Sequence, residues 1–111
     1  FVGVARNHDR QAGGAVVALR YTRHPSAPGL IGGIVADVLA TDDPGAECEV
    51  AAVHRIGDLA VGDNAFVVAV SAAHRQLAIR VCEQVVEQVK HRLPVWKQQF
   101  EADGSYRWSG L

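Results

Sequence analysis

A long amphipathic helix is indicated by residues 71–99, which read SAAHRQLAIRVCEQVVEQVKHRLPVWKQQ. Apolar residues recur in this stretch at steps of three and four, the spacing of a helix that packs one face on a core. The recurring residues are Ala78, Val81, Cys82, Val85, Val86 and Val89. We expect Ser71 to cap the start of this helix, and Pro94 to end it by about Leu93.

Basic residues lie at both ends of the predicted helix. His74 and Arg75 fall in its first turn, where the helix dipole favours acidic residues, so these cations suit a bound anion. Lys90 falls at the far end, and Lys97 follows a tryptophan. Arg75 and Lys90 are fifteen positions apart, which is about 22 Å along one helix axis. They therefore belong to two sites, or to one site that a second copy of the chain completes.

Size and composition favour one ordinary globular domain covering residues 1–111. The net charge of −1 argues against a general binder of nucleic acid or anionic membranes. No apolar run approaches the length of a membrane span and no signal peptide is visible, so we expect a cytoplasmic protein. Cys48 and Cys82 are widely separated, and the histidines lack the spacing of metal ligands. We therefore expect no disulfide scaffold, no metal site and no cofactor.

The rest of the chain predicts strands and one further helix. We expect them at residues 1–5, 15–21, 30–40, 49–56, 65–71, 94–100 and 106–108, the third being the helix and the sixth either a strand or irregular. The first two strands should form a hairpin, and the apolar run 65–71 a central strand covered on both faces. At Gly32 and Gly33 we expect another backbone to pack closely on the helix. This order predicts an α+β fold, a mainly antiparallel sheet with two main helices on one face.

Several residues could carry chemistry, and each has an ordinary structural alternative. A lysine held against an aromatic ring, as Lys97 would be, loses hydration and suits acid–base or covalent work. The alternative is that Lys90 and Lys97 are ordinary surface lysines. His74 and Arg75 either clamp a phosphate or carboxylate, or form a solvent-facing first turn. Cys82 lies on the apolar stripe, which favours a buried small residue over a nucleophile.

Four segments, taken in order, together resemble one family, the large, catalytic subunit of molybdopterin synthase. They are FVGVARNH at 1–8, HRIG at 54–57 followed by VGD at 61–63, VSAAHR at 70–75, and the segment 89–97 that begins VK and ends LPVWK. The resemblance covers nearly the whole chain. The chain begins at Phe1 without a Met, and we expect the family's first strand and its longer C-terminal tail to be missing from this sequence.

The resemblance implies an α/β hammerhead-like fold with a small β-subdomain, and a sulfurtransferase activity. Sulfur would come from the thiocarboxylated C-terminal Gly-Gly of a small ubiquitin-like carrier subunit. It would be transferred to cyclic pyranopterin monophosphate, making the dithiolene of molybdopterin in molybdenum cofactor biosynthesis. The implied assembly is a central homodimer with one carrier at each end, a heterotetramer. The alternative is a non-catalytic α+β module that binds an anionic metabolite.

Site residues follow from the same resemblance, position by position. Lys90 and Lys97 match the family's essential catalytic lysines. Arg6, His74 and Arg75 match its substrate-binding positions for the pterin phosphate. We include Gln99 among the substrate-binding residues, although the family often has Glu there, which puts a carboxylate role at that position in doubt.

Overall fold

Two antiparallel sheets and two helices make up the part of the chain that the structure, a computed structural model, describes. The described residues are 1–5, 16–23, 27–93, 95–101 and 106–110, with side chains described for 1–5, 29–93 and Trp108. The elements are β1 (Val2–Val4), β2 (Val16–Arg23), α1 (Ala27–Asp42), β3 (Glu49–His54), β4 (Gly57–Ala60), β5 (Asn64–Ser71), α2 (Arg75–Arg92), β6 (Val95–Glu101) and β7 (Tyr106–Gly110).

The strands are divided between a three-stranded sheet, ordered β1-β5-β3, and a four-stranded sheet, ordered β4-β2-β6-β7. Every strand pair in these two sheets is antiparallel. Both helices pack on one face of the three-stranded sheet, α2 against β5 and α1 against α2 and β3. The predicted α+β class, with two helices on one face and an additional small β-region, is confirmed.

The core lies between the two helices and β5. Val81, Val85 and Val89 of α2 are fully buried, with 0% of each exposed. They share one cluster with Ile34 of α1 and Val68 of β5. The periodic pattern of α2 is therefore confirmed as its buried face. The helix also ends where Pro94 predicts, because Leu93 leaves helical geometry and its N–H closes the last turn on the Val89 carbonyl at 2.9 Å.

Two local predictions are wrong, and one short strand is additional. Ser71 is not the helix cap, since it remains in β5 opposite Glu49, and His74 occupies the N-cap position instead. The additional strand is β4, Gly57–Ala60, which pairs with β2. The expected hairpin of the first two strands is absent, because β1 pairs with β5 in one sheet and β2 with β4 and β6 in the other. Turn residues alone do not specify the partners of a strand.

The prediction that β5 is central is confirmed, but the prediction that it is covered on both faces is wrong. Phe66 and Val68 point into the core and are buried. Val67 belongs to the opposite face, where its cross-strand neighbours Val2 and Val53 are 52% and 62% exposed. Among the described residues both helices lie on the other side of the sheet, so this apolar face is left accessible.

Gly32 and Gly33 also behave differently from the expectation. Both lie on the exposed side of α1, and a Cβ built on either one meets no other described atom within 4 Å, its chain neighbours and the helix's own backbone left aside. Within the described part of the chain, no close backbone contact explains these glycines. Gly62 is different, because its φ of +96° lies in the region that residues with a side chain rarely adopt.

We expect Gly32→Ala and Gly33→Ala to raise the free energy of unfolding by about 1 kcal/mol each, since alanine restricts the unfolded chain and fits the helix. Urea denaturation followed by circular dichroism measures this. Gly62→Ala is the matched control and should lower stability by about 1–2 kcal/mol. Destabilisation by the helix substitutions would show that something does pack against them.

Candidate functional site

The start of α2 presents an imidazole, a guanidinium and free backbone N–H groups to solvent. His74 is the N-cap residue, with φ −123° and ψ 132°, and its side chain makes no capping hydrogen bond. Arg75 is the first helical residue, and the first turn contains no acidic residue. Both side chains are exposed. An uncapped helix start with an adjacent guanidinium and imidazole can bind a phosphate or carboxylate.

The end of α2 carries Lys90, His91 and Arg92 in its last turn. Arg92 donates to the Asp37 carboxylate of α1 at 2.9 Å, and His91 lies 3.7 Å from Glu87. Lys90 is exposed. Cations at this end are stabilised by the helix dipole, so their presence alone does not require a function.

Lys97 and Gln99 lie on β6, two positions apart. The backbone register places Lys97 between Tyr21 of β2 and Ser109 of β7. Gln99 is opposite Leu19 and Arg107. The side chains of β6 lie outside the described residues, as does the whole of Arg6.

The described residues bring the predicted site together only in part. His74 and Arg75 are neighbours, and Lys97 and Gln99 share one strand of the four-stranded sheet. Arg75 and Lys90 lie at opposite ends of an 18-residue helix, separated by about 22 Å. One copy of α2 therefore does not place these two cations around one small ligand.

The structure adds a contact that sequence reasoning missed, between the end of β1 and the turn that joins β4 to β5. Ala5 is buried, at 2% exposed. Its N–H donates to the Asp63 carbonyl at 2.9 Å, and its carbonyl accepts from the Gly62 N–H at 2.8 Å. The sequence Gly62-Asp63 does indicate a turn, but nothing in the sequence indicates that Ala5 binds to it.

The pKa values of two other groups, Asp43 and Cys48, are shifted. The Asp43 carboxylate is buried and accepts hydrogen bonds from the backbone N–H groups of Glu47 and Cys48, which lowers its pKa. Burial and then the nearby Asp43 charge raise the pKa of the Cys48 thiol, so this thiol is a poor nucleophile. Both contacts fix the loop after α1.

His54 is the other titratable group with a structural role. Its ring stacks on Phe66 with centroids 5.5 Å apart, and its Nδ1 lies 2.7 Å from the Arg55 carbonyl oxygen. Burial lowers the pKa of His54, and this hydrogen bond only partly offsets the effect.

Within the described part of the chain, no three His, Cys, Asp or Glu side chains are arranged to hold a metal ion. Cys48 and Cys82 are both free thiols, and the Cys82 sulfur lies 4.0 Å from the Val68 carbonyl oxygen. None of the described helices is both long and apolar enough to cross a membrane.

Comparison with known proteins agrees with the ordered motifs. The family model described as MoaE protein matches residues 1–92. The chain belongs to the MoaE protein family. The chain is 34% identical to molybdopterin synthase catalytic subunit 1 of Mycobacterium tuberculosis over 110 residues, which cover 99% of this chain and 71% of the relative. The predicted family is therefore confirmed.

Other MoaE relatives and solved structures agree on name and fold. The molybdopterin synthase catalytic subunit of Aspergillus niger is 35% identical over 97% of this chain, which spans 58% of that relative's length. The crystal structure of molybdopterin synthase from Staphylococcus aureus matches all of this chain and 77% of its own, with a TM-score of 0.85 and 29% identity. A chain in the complex of molybdopterin-converting factor subunits 1 and 2 from Helicobacter pylori shares the fold, with a TM-score of 0.71 and 21% identity.

The titration of His54 should make the stability of this MoaE chain depend on pH. The folded-state pKa lies below the ordinary value of 6.5, so the unfolded chain takes up a proton first as pH falls. Stability should therefore decrease as pH falls through about 6.5, until the folded-state pKa is passed.

Chemical denaturation at pH 7.5 and pH 5.5 measures this loss, which should be smaller in His54→Phe because the ring stacks but does not titrate. An equal loss in the variant would contradict the assignment.

Proposed function

We propose that this chain is the large, catalytic subunit of a molybdopterin synthase. It would transfer sulfur from a carrier thiocarboxylate to cyclic pyranopterin monophosphate and so form the dithiolene of molybdopterin. The observation that carries the proposal is the alignment over 99% of this chain with a relative named molybdopterin synthase catalytic subunit 1. The basic residues of the ordered motifs supply the chemistry that this reaction needs.

The substrate is an anion, and the start of α2 is suited to bind it. A phosphate is held best by paired cationic donors and by backbone N–H groups that point towards it. His74 and Arg75 supply the side-chain donors, and the uncapped first turn supplies the backbone N–H groups. We assign Arg6, from the motif at residues 1–8, to the same anion. We assign Gln99 as a neutral substrate-binding residue where relatives often have Glu.

Lys90 and Lys97 are the proposed catalytic residues, and they are the only two lysines in the sequence. Once the carrier sulfur has bonded to the precursor, carrier and precursor are joined by a thioester. Water adds to its carbonyl carbon, and negative charge develops on the carbonyl oxygen in the tetrahedral intermediate. Collapse of this intermediate breaks the carrier's carbon–sulfur bond, which leaves the sulfur on the precursor and a carboxylate on the carrier. An ammonium group beside that oxygen stabilises the charge, and it can also move the proton that the step requires. This is the role we assign to the pair.

We propose that one site is shared between two copies of the chain. Because about 22 Å separates Arg75 from Lys90 along the helix axis, one α2 cannot supply both sides of a small pocket. A twofold dimer would bring the His74–Arg75 end of one copy to the lysines of the other. The carrier subunit, with its Gly-Gly tail, would then bind once per site, giving a heterotetramer.

We further propose that residues 1–111 act as one domain in the cytoplasm. Leu59 of the four-stranded sheet is 2% exposed and belongs to the same core cluster as both helices, which supports a single domain. The two free thiols are consistent with a reducing compartment.

We expect Lys97→Ala and Lys90→Ala each to reduce dithiolene formation by at least about 100-fold, because each removes a group that acts in the transition state. The assay incubates the protein with precursor and thiocarboxylated carrier and detects the product by mass. Arg80→Gln, which removes another exposed cation of α2, should remain active. Full activity in both lysine variants would overturn the catalytic assignment, and metabolite binding without turnover in the wild type would favour the non-catalytic alternative.

Mixed dimers test whether the site is shared. Arg75→Ala and Lys97→Ala should each be inactive alone, but an equal mixture that exchanges subunits should recover about one quarter of wild-type activity, since half of the dimers would contain one intact site. The control is a mixture of Lys90→Ala and Lys97→Ala, which should remain inactive because both lysines come from one copy. No recovery in the first mixture would place the site within a single chain.

A further inference from the structure

The turn that joins β4 to β5 is held by one side chain, Asp63. The Asp63 N–H donates to the Ala60 carbonyl at 3.0 Å, which closes the turn, and the Asp63 carboxylate accepts from the Ala60 N–H at 3.0 Å. Gly62, at the third position of the turn, has the positive φ that a type II turn requires. Asp63 thus binds both main-chain groups of Ala60, the first residue of the turn.

The same turn holds the end of β1. Gly62 donates its N–H to the Ala5 carbonyl, and Asp63 accepts the Ala5 N–H with its own carbonyl. Ala5 is therefore bound through both of its main-chain groups and is buried in the core. The Ala5 carbonyl belongs to the planar peptide bond that leads to Arg6, so a hydrogen bond to this carbonyl restricts the direction in which the chain leaves β1.

We propose that Asp63 is a positioning residue for Arg6, the residue to which the proposed function assigns part of the phosphate binding. The carboxylate of Asp63 holds the turn, the turn holds Ala5, and Ala5 is the residue directly before Arg6. The inference rests on the proposed function. A misplaced Arg6 would hold the phosphate less well in the ground state and in the transition state alike, which raises KM and leaves kcat nearly unchanged.

The negative charge of Asp63 is not what this role requires. Arg55 approaches the Asp63 carboxylate at 3.8 Å, with half of the Arg55 side chain and 41% of that of Asp63 exposed. A long, exposed ion pair of this kind contributes little. The hydrogen bond to Ala60 is the important contact, and the amide oxygen of asparagine can accept it as well.

The test compares Asp63→Ala with Asp63→Asn in the complete assay with carrier and precursor. Asp63→Ala should raise the KM for the precursor about tenfold with little change in kcat, and Asp63→Asn should restore a near wild-type KM. Glu83→Gln is the matched control, since it removes an exposed carboxylate of α2, and its KM should be unchanged. If the charge of Asp63 mattered instead, both Asp63 variants would lower the KM, because each would repel the anion less; that result would overturn the proposal.

A second measurement separates a positioning role from a general loss of stability. Hydrogen exchange should become faster at the amides of Ala5 and Gly62 in Asp63→Ala, while the amide of Val85 in the core of α2 remains protected. In an Arg6→Gln background, Asp63→Ala should raise the KM no further, since its effect passes through Arg6. Equal, additive effects in both backgrounds would overturn the inference.

The inference and the proposed function fail in different ways. If the wild-type protein makes no dithiolene, the proposed function is wrong and the role of Arg6 falls with it. If the wild type is active but Asp63→Ala leaves the KM unchanged, only the positioning role is wrong.

Discussion

The packing of α2 against β5 is the interaction on which the rest of the molecule depends. Val81, Val85 and Val89 lose all contact with water in this interface, and burial of each such side chain contributes about 1.5–3 kcal/mol. The same interface fixes the direction of the helix over the sheet. It thereby fixes where the cations at the two ends of the helix lie, so the core and the proposed site share one rigid element.

Sequence periodicity was sufficient to predict α2 and its buried face, but it was not sufficient to predict which strands pair. The valines of α2 repeat over several turns, and Pro94 marks the end, so helix and buried face could both be predicted. Strand partners depend on contacts between distant segments. β1 lies in a different sheet from β2, its neighbour in sequence. β4 has only four residues, begins at a glycine and is followed by the turn at Gly62. Local residue preferences carry little information about either.

The candidate site could likewise be predicted from the sequence only in part. The residue types and their positions on α2 could be predicted, because a helix fixes the spacing of residues along one axis. The N-cap could not, since Ser71 has the better capping chemistry but is held in the ladder opposite Glu49. The hydrogen bonds between Ala5 and the turn at Gly62 and Asp63 join residues far apart in the chain. Only the fold brings these groups within reach of one another.

The length of α2 also separates its two ends electrostatically. At physiological ionic strength the screening length is about 8 Å, well below the roughly 22 Å between Arg75 and Lys90. Within one chain, a charge gained or lost at one end will hardly be felt at the other. Within one copy, the charge at each end of α2 therefore responds to its own surroundings, and in the proposed dimer the two ends that act on one another belong to different copies.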